Sequence, residues 1–246
     1  MIFLELVPKD IHKLIDQSQW ALNSFHDIHG INVPDILQVD NRSYDVCQHL
    51  ANANVRSIPH IRICDFSMKD LYHLCETLQN ANIVNVLLIS GDVSPNPFHT
   101  IHNHNIIEVI KLLTKTYPDL SIYAAHDPYR QCLKEEFIYS QKKLDAGAKG
   151  LFTQPIFDVN LANILLDQCM PCEWFIGVSP VLTERSYNYW IHRNKVVFPS
   201  DFNLSVAHNI GIAKNIIQLC KEKNQNNYIM PITCPLSPYL DHIFST

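Results

Sequence analysis

Glu5 lies within Phe3-Leu4-Glu5-Leu6-Val7-Pro8, a lone carboxylate among apolar neighbours. A group so placed either faces solvent or enters a low-dielectric pocket, where its pKa rises until it can hold a proton near neutrality and act as a general acid. His60 sits in a second apolar run, Ser57-Ile-Pro-His-Ile-Arg-Ile-Cys64, as a hydrogen-bonded core histidine or as a site group. Asp92 follows Gly91 directly after Asn85-Val-Leu-Leu-Ile-Ser90, as a turn aspartate or as a charge at a strand tip. Gln154 closes Gly150-Leu-Phe-Thr153 and brings an amide that can both donate and accept. Two other clusters invite a metal, His99-Thr-Ile-His102-Asn-His104 and Cys169-Met-Pro-Cys172. The histidine spacing fits neither a zinc finger nor a His-Glu-x-x-His helix, and no second cysteine pair completes a zinc site, so the expectation is no metal and a solvated histidine loop. Cys47, Cys64, Cys75, Cys132 and Cys220 read as small apolar fillers.

Composition bounds what these residues can serve. At 246 residues and 47% hydrophobic content, the chain suits one domain over residues 1–246 with a sizeable core. A net charge of −5 offers no global basic field for nucleic acid or an acidic membrane. No apolar run of about 18 residues could cross a bilayer. Met1-Ile-Phe-Leu-Glu5 lacks the basic start of a signal peptide, so a soluble, cytoplasmic protein is expected. With six glycines, no Gly-x-Gly-x-x-Gly and no Walker loop, a nucleotide cofactor must be held in some other way.

The elements that would position these residues follow from periodicity. Strands are expected at 3–6, 36–40, 57–64, 85–90, 120–125, 150–153, 173–178 and 227–232, with helical spacing between them. Ser67-Met-Lys-Asp70 resembles a capping box, and Asp158 should cap the helix through about Gln168. Leu133, Phe137 and Leu144 share one helix face, Lys142 and Lys143 suit its last turns, and Gly147 suits its C-terminal cap. Near the C-terminus, Val206, Ile210, Ala213, Ile217 and Cys220 form another stripe. Eight strands alternating with helices argue for an α/β fold, a TIM (β/α)8 barrel rather than an open sheet. In such a barrel chemistry gathers at the C-terminal ends of the strands, which here carry Glu5, Asp40, His60, Asp92, His126 with Asp127, Gln154 and Ser179.

In chain order, Phe3-Leu-Glu5-Leu-Val-Pro8, Ile58-Pro-His60-Ile, Leu88-Ile-Ser-Gly91-Asp92, Leu144-Asp-Ala-Gly-Ala148 and Phe152-Thr-Gln154-Pro-Ile-Phe-Asp158 resemble the methylenetetrahydrofolate reductase family. Gly177-Val-Ser-Pro180 and Val197-Phe-Pro199 extend the resemblance over nearly the whole chain. It implies a TIM barrel that holds FAD without a Rossmann domain and passes electrons from NAD(P)H to a folate. Glu5 matches the general acid for the folate N10, Asp92 the aspartate beside flavin and pterin, and Gln154 the glutamine that orients substrate. His60, Gly91, Asp92, Ala125, His126, Glu136, Lys142 and Lys143 fall at cofactor-contacting positions. The implied partners are a folate and, where the chain self-associates, further copies of itself.

The sequence also departs from the family's pattern. Ser90 stands where the family has an arginine, and Arg130 is the cation placed to restore that charge. His126-Asp-Pro-Tyr-Arg-Gln131 replaces a longer glutamate-bearing segment, and Val181-Leu-Thr-Glu184 lacks the aromatic that stacks on nicotinamide. Met230-Pro-Ile-Thr-Cys-Pro235 lacks the usual Tyr- and Arg-bearing loop. Three other readings therefore stand beside a flavin-dependent reductase: direct hydride transfer from a nicotinamide without flavin, a non-catalytic folate-binding or partner barrel, and a metal hydrolase using the histidine cluster.

Overall fold

The protein is described from a computed structural model covering residues 1–92, 96, 99–168 and 170–245. Eight parallel strands close in sequence order into a barrel, with β8 returning to β1. The units run β1 Ile2–Glu5, α1 Ile11–Ser24, β2 Ile28–Val33, α2 Ser43–Asn52, β3 Ser57–Arg62 and α3 Met68–Asn80. They continue as β4 Asn85–Ile89, α4 Ile106–Thr116, β5 Ser121–His126, α5 Leu133–Asp145, β6 Gly150–Pro155 and α6 Val159–Asp167. β7 Glu173–Val178, α7 Glu184–Asn194, α8 Val206–Glu222, β8 Asn226–Ile229 and α9 Leu236–Phe244 complete the chain. A 3₁₀ turn, Ile63–Asp65, leads out of β3.

Side chains alternate between the bore and the helix layer. Phe3, Ile58, Leu87, Tyr123, Phe152, Phe175, Tyr228 and Met230 fill the bore as one apolar cluster. Phe152 and Phe175 stack with centroids 4.1 Å apart, and Tyr123 meets both edge-on at 5.4 Å. Below this layer the bore is closed by polar contacts: Tyr123 OH donates to Glu173 Oε2 (3.0 Å), and Lys149 pairs with Glu173 (3.2 Å). The other strand face packs against the helices in a larger core that includes Leu4, Ile31, Val86, Leu151 and Ile176. Each such large apolar side chain gains about 1.5–3 kcal/mol by leaving water.

Local chemistry explains the helix starts. Asp10, Ser67, Asn105, Asp158, Thr183 and Ser205 each accept a hydrogen bond from a backbone N–H of the first turn they precede. Ser67 Oγ also donates to Asp70 Oδ2 (2.6 Å), so the two ends of the expected box meet side chain to side chain.

Two sequence expectations are corrected. The second strand is Ile28–Val33, not 36–40, where the chain turns and Val39 N donates to Ile36 O (3.0 Å). His29, Gly30 and Asn32 hide the strand's apolar rhythm, yet each has a use. At Gly30 a Cβ would lie 2.6 Å from the Phe3 ring, so only glycine lets that ring seat. Pro34 then stops the strand, and exposed Asp40 is not at a strand end. In α8 the buried stripe is Asn209, Ala213, Ile216 and Cys220, while Val206 is exposed. An amide takes the core position because Asn209 Oδ1 accepts from Val181 N (2.8 Å) and its Nδ2 donates to Val181 O (3.1 Å), fixing the β7 exit.

Candidate active site

Strand alternation decides which side chains reach the mouth of the bore. Phe3 lies in the bore, so Glu5, two residues on, does too; Ile58 likewise places His60 and Arg62 on the bore side. Asn32 stands opposite Glu5 in the β1–β2 register, and its Nδ2 approaches His60 Nε2 at 3.4 Å. β1, β2 and β3 therefore build a continuous polar wall. Of the facing strands, β4, β5, β7 and β8 bring Ile89, Ala125, Gly177 and Met230, which are apolar or small, and β6 brings Gln154.

Burial sets the charge state of that wall. Glu5 is half-buried with no partner among the described residues, and burial alone pushes its carboxyl up to about 8. Burial takes the His60 imidazole down to about 3, and the ring lies 6.2 Å from that of Tyr228. At neutral pH the wall thus holds a protonated carboxyl and a neutral imidazole, with a guanidinium only at its rim. A protonated acid with no hydrogen-bond partner and partial access to solvent is equipped to deliver a proton to a ligand. Asn32 Oδ1, Asp35 Oδ1 and Ser179 Oγ, at the exits of β2 and β7, are buried without hydrogen-bond partners.

Gln154 lies where the β6–β7 register slips between Phe152 and Pro155, a bulge that re-aims the strand end. Thr153 Oγ1 accepts from Gly177 N (2.8 Å) there, and Gln154 remains half-buried. Asp92 is exposed just beyond β4, and its carbonyl accepts from Arg62 Nη2 at 2.5 Å. Gly91 precedes it with φ +86°.

The residues expected on the β5–α5 side are arranged differently. Tyr123 and Ala125 are on the bore side of β5, so His126 faces the helix layer, where it packs against Phe137 and Trp174 and shares a 2.8 Å hydrogen bond with Ser140 Oγ. Burial first, then the nearby Lys143 charge, lowers its pKa to about 3. Glu136 spends both oxygens on the loop after β5, accepting from Asp127 N (3.1 Å) and Gln131 Nε2 (2.9 Å). Lys143 Nζ donates to Ala125 O (2.5 Å), lies 4.0 Å from Glu136 and 4.2 Å above the Tyr139 ring, and burial lowers its pKa to about 8. The buried face of α5 is thus Glu136, Ser140 and Lys143, while Lys142 is exposed off that face. Arg130 is exposed, 5.4 Å over Tyr139, so the guanidinium beside Gly91-Asp92 belongs to Arg62 instead.

No group of three His, Cys, Asp or Glu side chains suited to a metal occurs among the described residues. His99 Nε2 pairs with Asp65 Oδ1 (3.0 Å) and His104 Nε2 donates to Phe66 O (2.9 Å). Cys169 lies outside the described residues, as do the prolines flanking Asn96.

Asn32, Arg62 and Asp65 are site residues that sequence reasoning passed over. Polar residues inside or directly after otherwise buried strands were the available signal. No helix of the described residues is long and apolar enough to cross a membrane.

Comparison with known proteins identifies related chains. The family model described as methylenetetrahydrofolate reductase matches residues 30–210. The 5,10-methylenetetrahydrofolate reductase of Buchnera aphidicola subsp. Schizaphis graminum is 21% identical over 141 residues, 56% of this chain and 48% of that protein. Its counterpart from Buchnera aphidicola subsp. Baizongia pistaciae is 21% identical over 177 residues, 71% of this chain and 59% of that protein. The matches thus span about half the length of these relatives. Among solved structures, a 2,3-dimethylmalate lyase superposes with TM-score 0.60 at 10% identity, covering 98% of this chain and 78% of its own. Yersinia pestis DHPS with a pterine-sulfa conjugate gives 0.56 at 11%, covering 99% and 90%. These two likenesses show the barrel fold alone.

Proposed function

The chain belongs to the methylenetetrahydrofolate reductase family, and from that premise we propose that it reduces 5,10-methylenetetrahydrofolate to 5-methyltetrahydrofolate with NAD(P)H, using FAD. The observation that carries this reading is Glu5, a carboxyl kept protonated to about pH 8 by burial at the barrel mouth. The folate's bridging C–N bond must open before its methylene carbon can accept hydride, and opening requires a proton on N10. Glu5 gives that proton, becomes a carboxylate, and recovers a proton from solvent through its exposed edge. Asp92 supplies negative charge beside the 5-iminium cation that ring opening leaves on the folate. Gln154 orients the pterin with its amide, which can serve donor and acceptor atoms of the ring together.

FAD, when bound, would carry the hydride between nicotinamide and folate. The mouth suits its ring end. His60, Asp92 and the backbone of Gly91 and Ala125 would hold it, and the buried Asn32 Oδ1 lacks a hydrogen-bond partner beside them. The pyrophosphate end is less well served. His126, Glu136 and Lys143 are taken up within the protein, while Lys142 and Arg130 are exposed on that side. That observation favours a second reading, hydride transfer straight from NAD(P)H to the folate.

The purified protein separates the two. A visible flavin spectrum, with near-stoichiometric flavin released on heating, supports the first reading. A colourless protein that cannot be reconstituted with FAD yet oxidises NAD(P)H with methylenetetrahydrofolate establishes the second. No folate reduction with or without FAD refutes both.

A further inference from the structure

Arg62 leaves the bore side of β3 and divides its guanidinium among three neighbours. Nε donates to Asp65 Oδ2 (3.0 Å), and Nη2 donates to Asp92 O (2.5 Å) and to Cys64 Sγ (3.6 Å). Its stem fills the space over Gly91, where a Cβ would lie 3.2 Å from Arg62 Cβ and Cζ and would overlap Cys64 Sγ. Asp65 is held in turn by Arg42 (2.6 Å) and His99 (3.0 Å), and Arg42 also pairs with Asp35 (2.9 Å). The turn carrying Asp65 grips both ends of the β4–α4 connection. Cys64 N donates to Ser90 O (3.2 Å) at its start, while His102 N donates to Cys64 O (2.8 Å) and His104 to Phe66 O (2.9 Å) near its end.

We infer that Arg62 is a positioning residue of the site: it fixes Asp92 at the mouth by gripping its main chain, with Asp65 and His99 completing the clasp. The inference rests on the proposed role of Asp92 in folate reduction. A main-chain grip suits Asp92 because its own carboxylate is exposed and bonded to no described residue. Gly91, in the left-handed region, adds no side chain to stiffen the turn. A carboxylate displaced by about 1 Å can lose up to roughly 10² in rate. Lysine can replace the arginine only in part, because it lacks the planar fork that reaches two acceptors at once.

The test is a double-variant cycle on the full-length protein, with kcat, KM and thermal melting read for each variant. Arg62→Gln leaves Asp65 paired with Arg42 and His99, so the chain should fold. We expect kcat for folate reduction to fall by up to about tenfold, no further than Asp92→Asn takes it, with KM moved less, and Arg62→Lys to recover only part. In an Asp92→Asn background, Arg62→Gln should add less than about threefold, since there is no charge left to position. Losses that multiply in the double variant overturn the inference, as does a lowered melting temperature with unchanged kcat. If Arg62→Gln does not fold, Arg62→Lys carries the same cycle. Wild-type kcat in Asp92→Asn alone removes the role of Asp92, and the inference with it, while activity of the wild-type protein still stands for the family reading.

Discussion

Two polar clusters flank the C-terminal end of this barrel, and they differ in how their hydrogen-bonding capacity is spent. On the β5–α5 side, Glu136 and Lys143 direct their groups to the protein's own backbone and loop, and both are nearly inaccessible. On the β1–β3 side, Glu5 has no partner among the described residues and Asn32 Oδ1 is unsatisfied. A buried polar group left open costs about 1–3 kcal/mol; Asn32 Oδ1 carries that cost at the mouth, where a ligand can relieve it, and His126 Nε2 carries it inside the helix layer. The first cluster is scaffolding. Of the positions that resemblance makes cofactor-contacting, Glu136 and Lys143 belong to the first cluster.

Substitution on each side should sharpen that contrast. Glu5→Gln removes the proton donor and keeps the shape. Reduction of methylenetetrahydrofolate in stopped flow should drop by roughly 10²-fold or more, while oxidation of NAD(P)H by the flavin half-reaction is nearly unchanged. Equal slowing of both halves would make Glu5 structural. The same change should not destabilise the fold. Between about pH 4.5 and pH 8 the folded protein holds a proton on Glu5 that the unfolded chain has released, so this group lowers stability progressively as pH rises through that window. Glu5→Gln should flatten the fall in melting temperature over that range; a steeper fall would contradict the raised pKa.

Glu136→Ala should do the opposite. It strips the acceptor from Asp127 N and Gln131 and the counter-charge from Lys143, so the melting curve should report a loss of about 2 kcal/mol or more. Residual activity per folded molecule should stay well above that of Glu5→Gln. A stable but inactive Glu136→Ala protein would move Glu136 from scaffold to site.

Asp92→Asn sits between the two, with its carboxylate free and its main chain held. Folate reduction should slow about tenfold, and a bound flavin should become easier to reduce once the neighbouring anion is gone. An unchanged potential in a flavin-replete variant would return Asp92 to the role of a turn residue.

The smallest effect is expected far from either cluster. Asn54, Asn82 and Asn224 adopt positive φ just after α2, α3 and α8, where glycine is the usual choice. Asn82→Gly should change stability by less than about 1 kcal/mol and leave the chemistry untouched. A larger loss would mean that the Asn82 side chain makes a contact of its own.

Those asparagines also show what the sequence concealed. Seven of the eight strands were legible because their apolar runs are short and bounded by turn residues. The second was not, because its bore-side positions are Gly30 and Asn32, the first needed for the Phe3 ring and the second for the polar wall. Glu5 could be picked out by its apolar neighbours, and its raised pKa follows from them. The direction of His126 depends on strand parity near a strand end, which no local pattern gives. Arg62 escaped notice for a related reason: its partners, Asp65 and Asp92, come from a 3₁₀ turn and a different strand exit.

The aromatic layer of Phe3, Tyr123, Phe152, Phe175 and Tyr228 seals the bore below the polar wall, with the Glu173 contacts beneath it. The barrel is in effect a cup with one opening. A ligand of the polar wall would enter and leave at the C-terminal rim. A linker attached at exposed Val84, at the entrance of β4, would tether the molecule to a surface with its mouth turned outward.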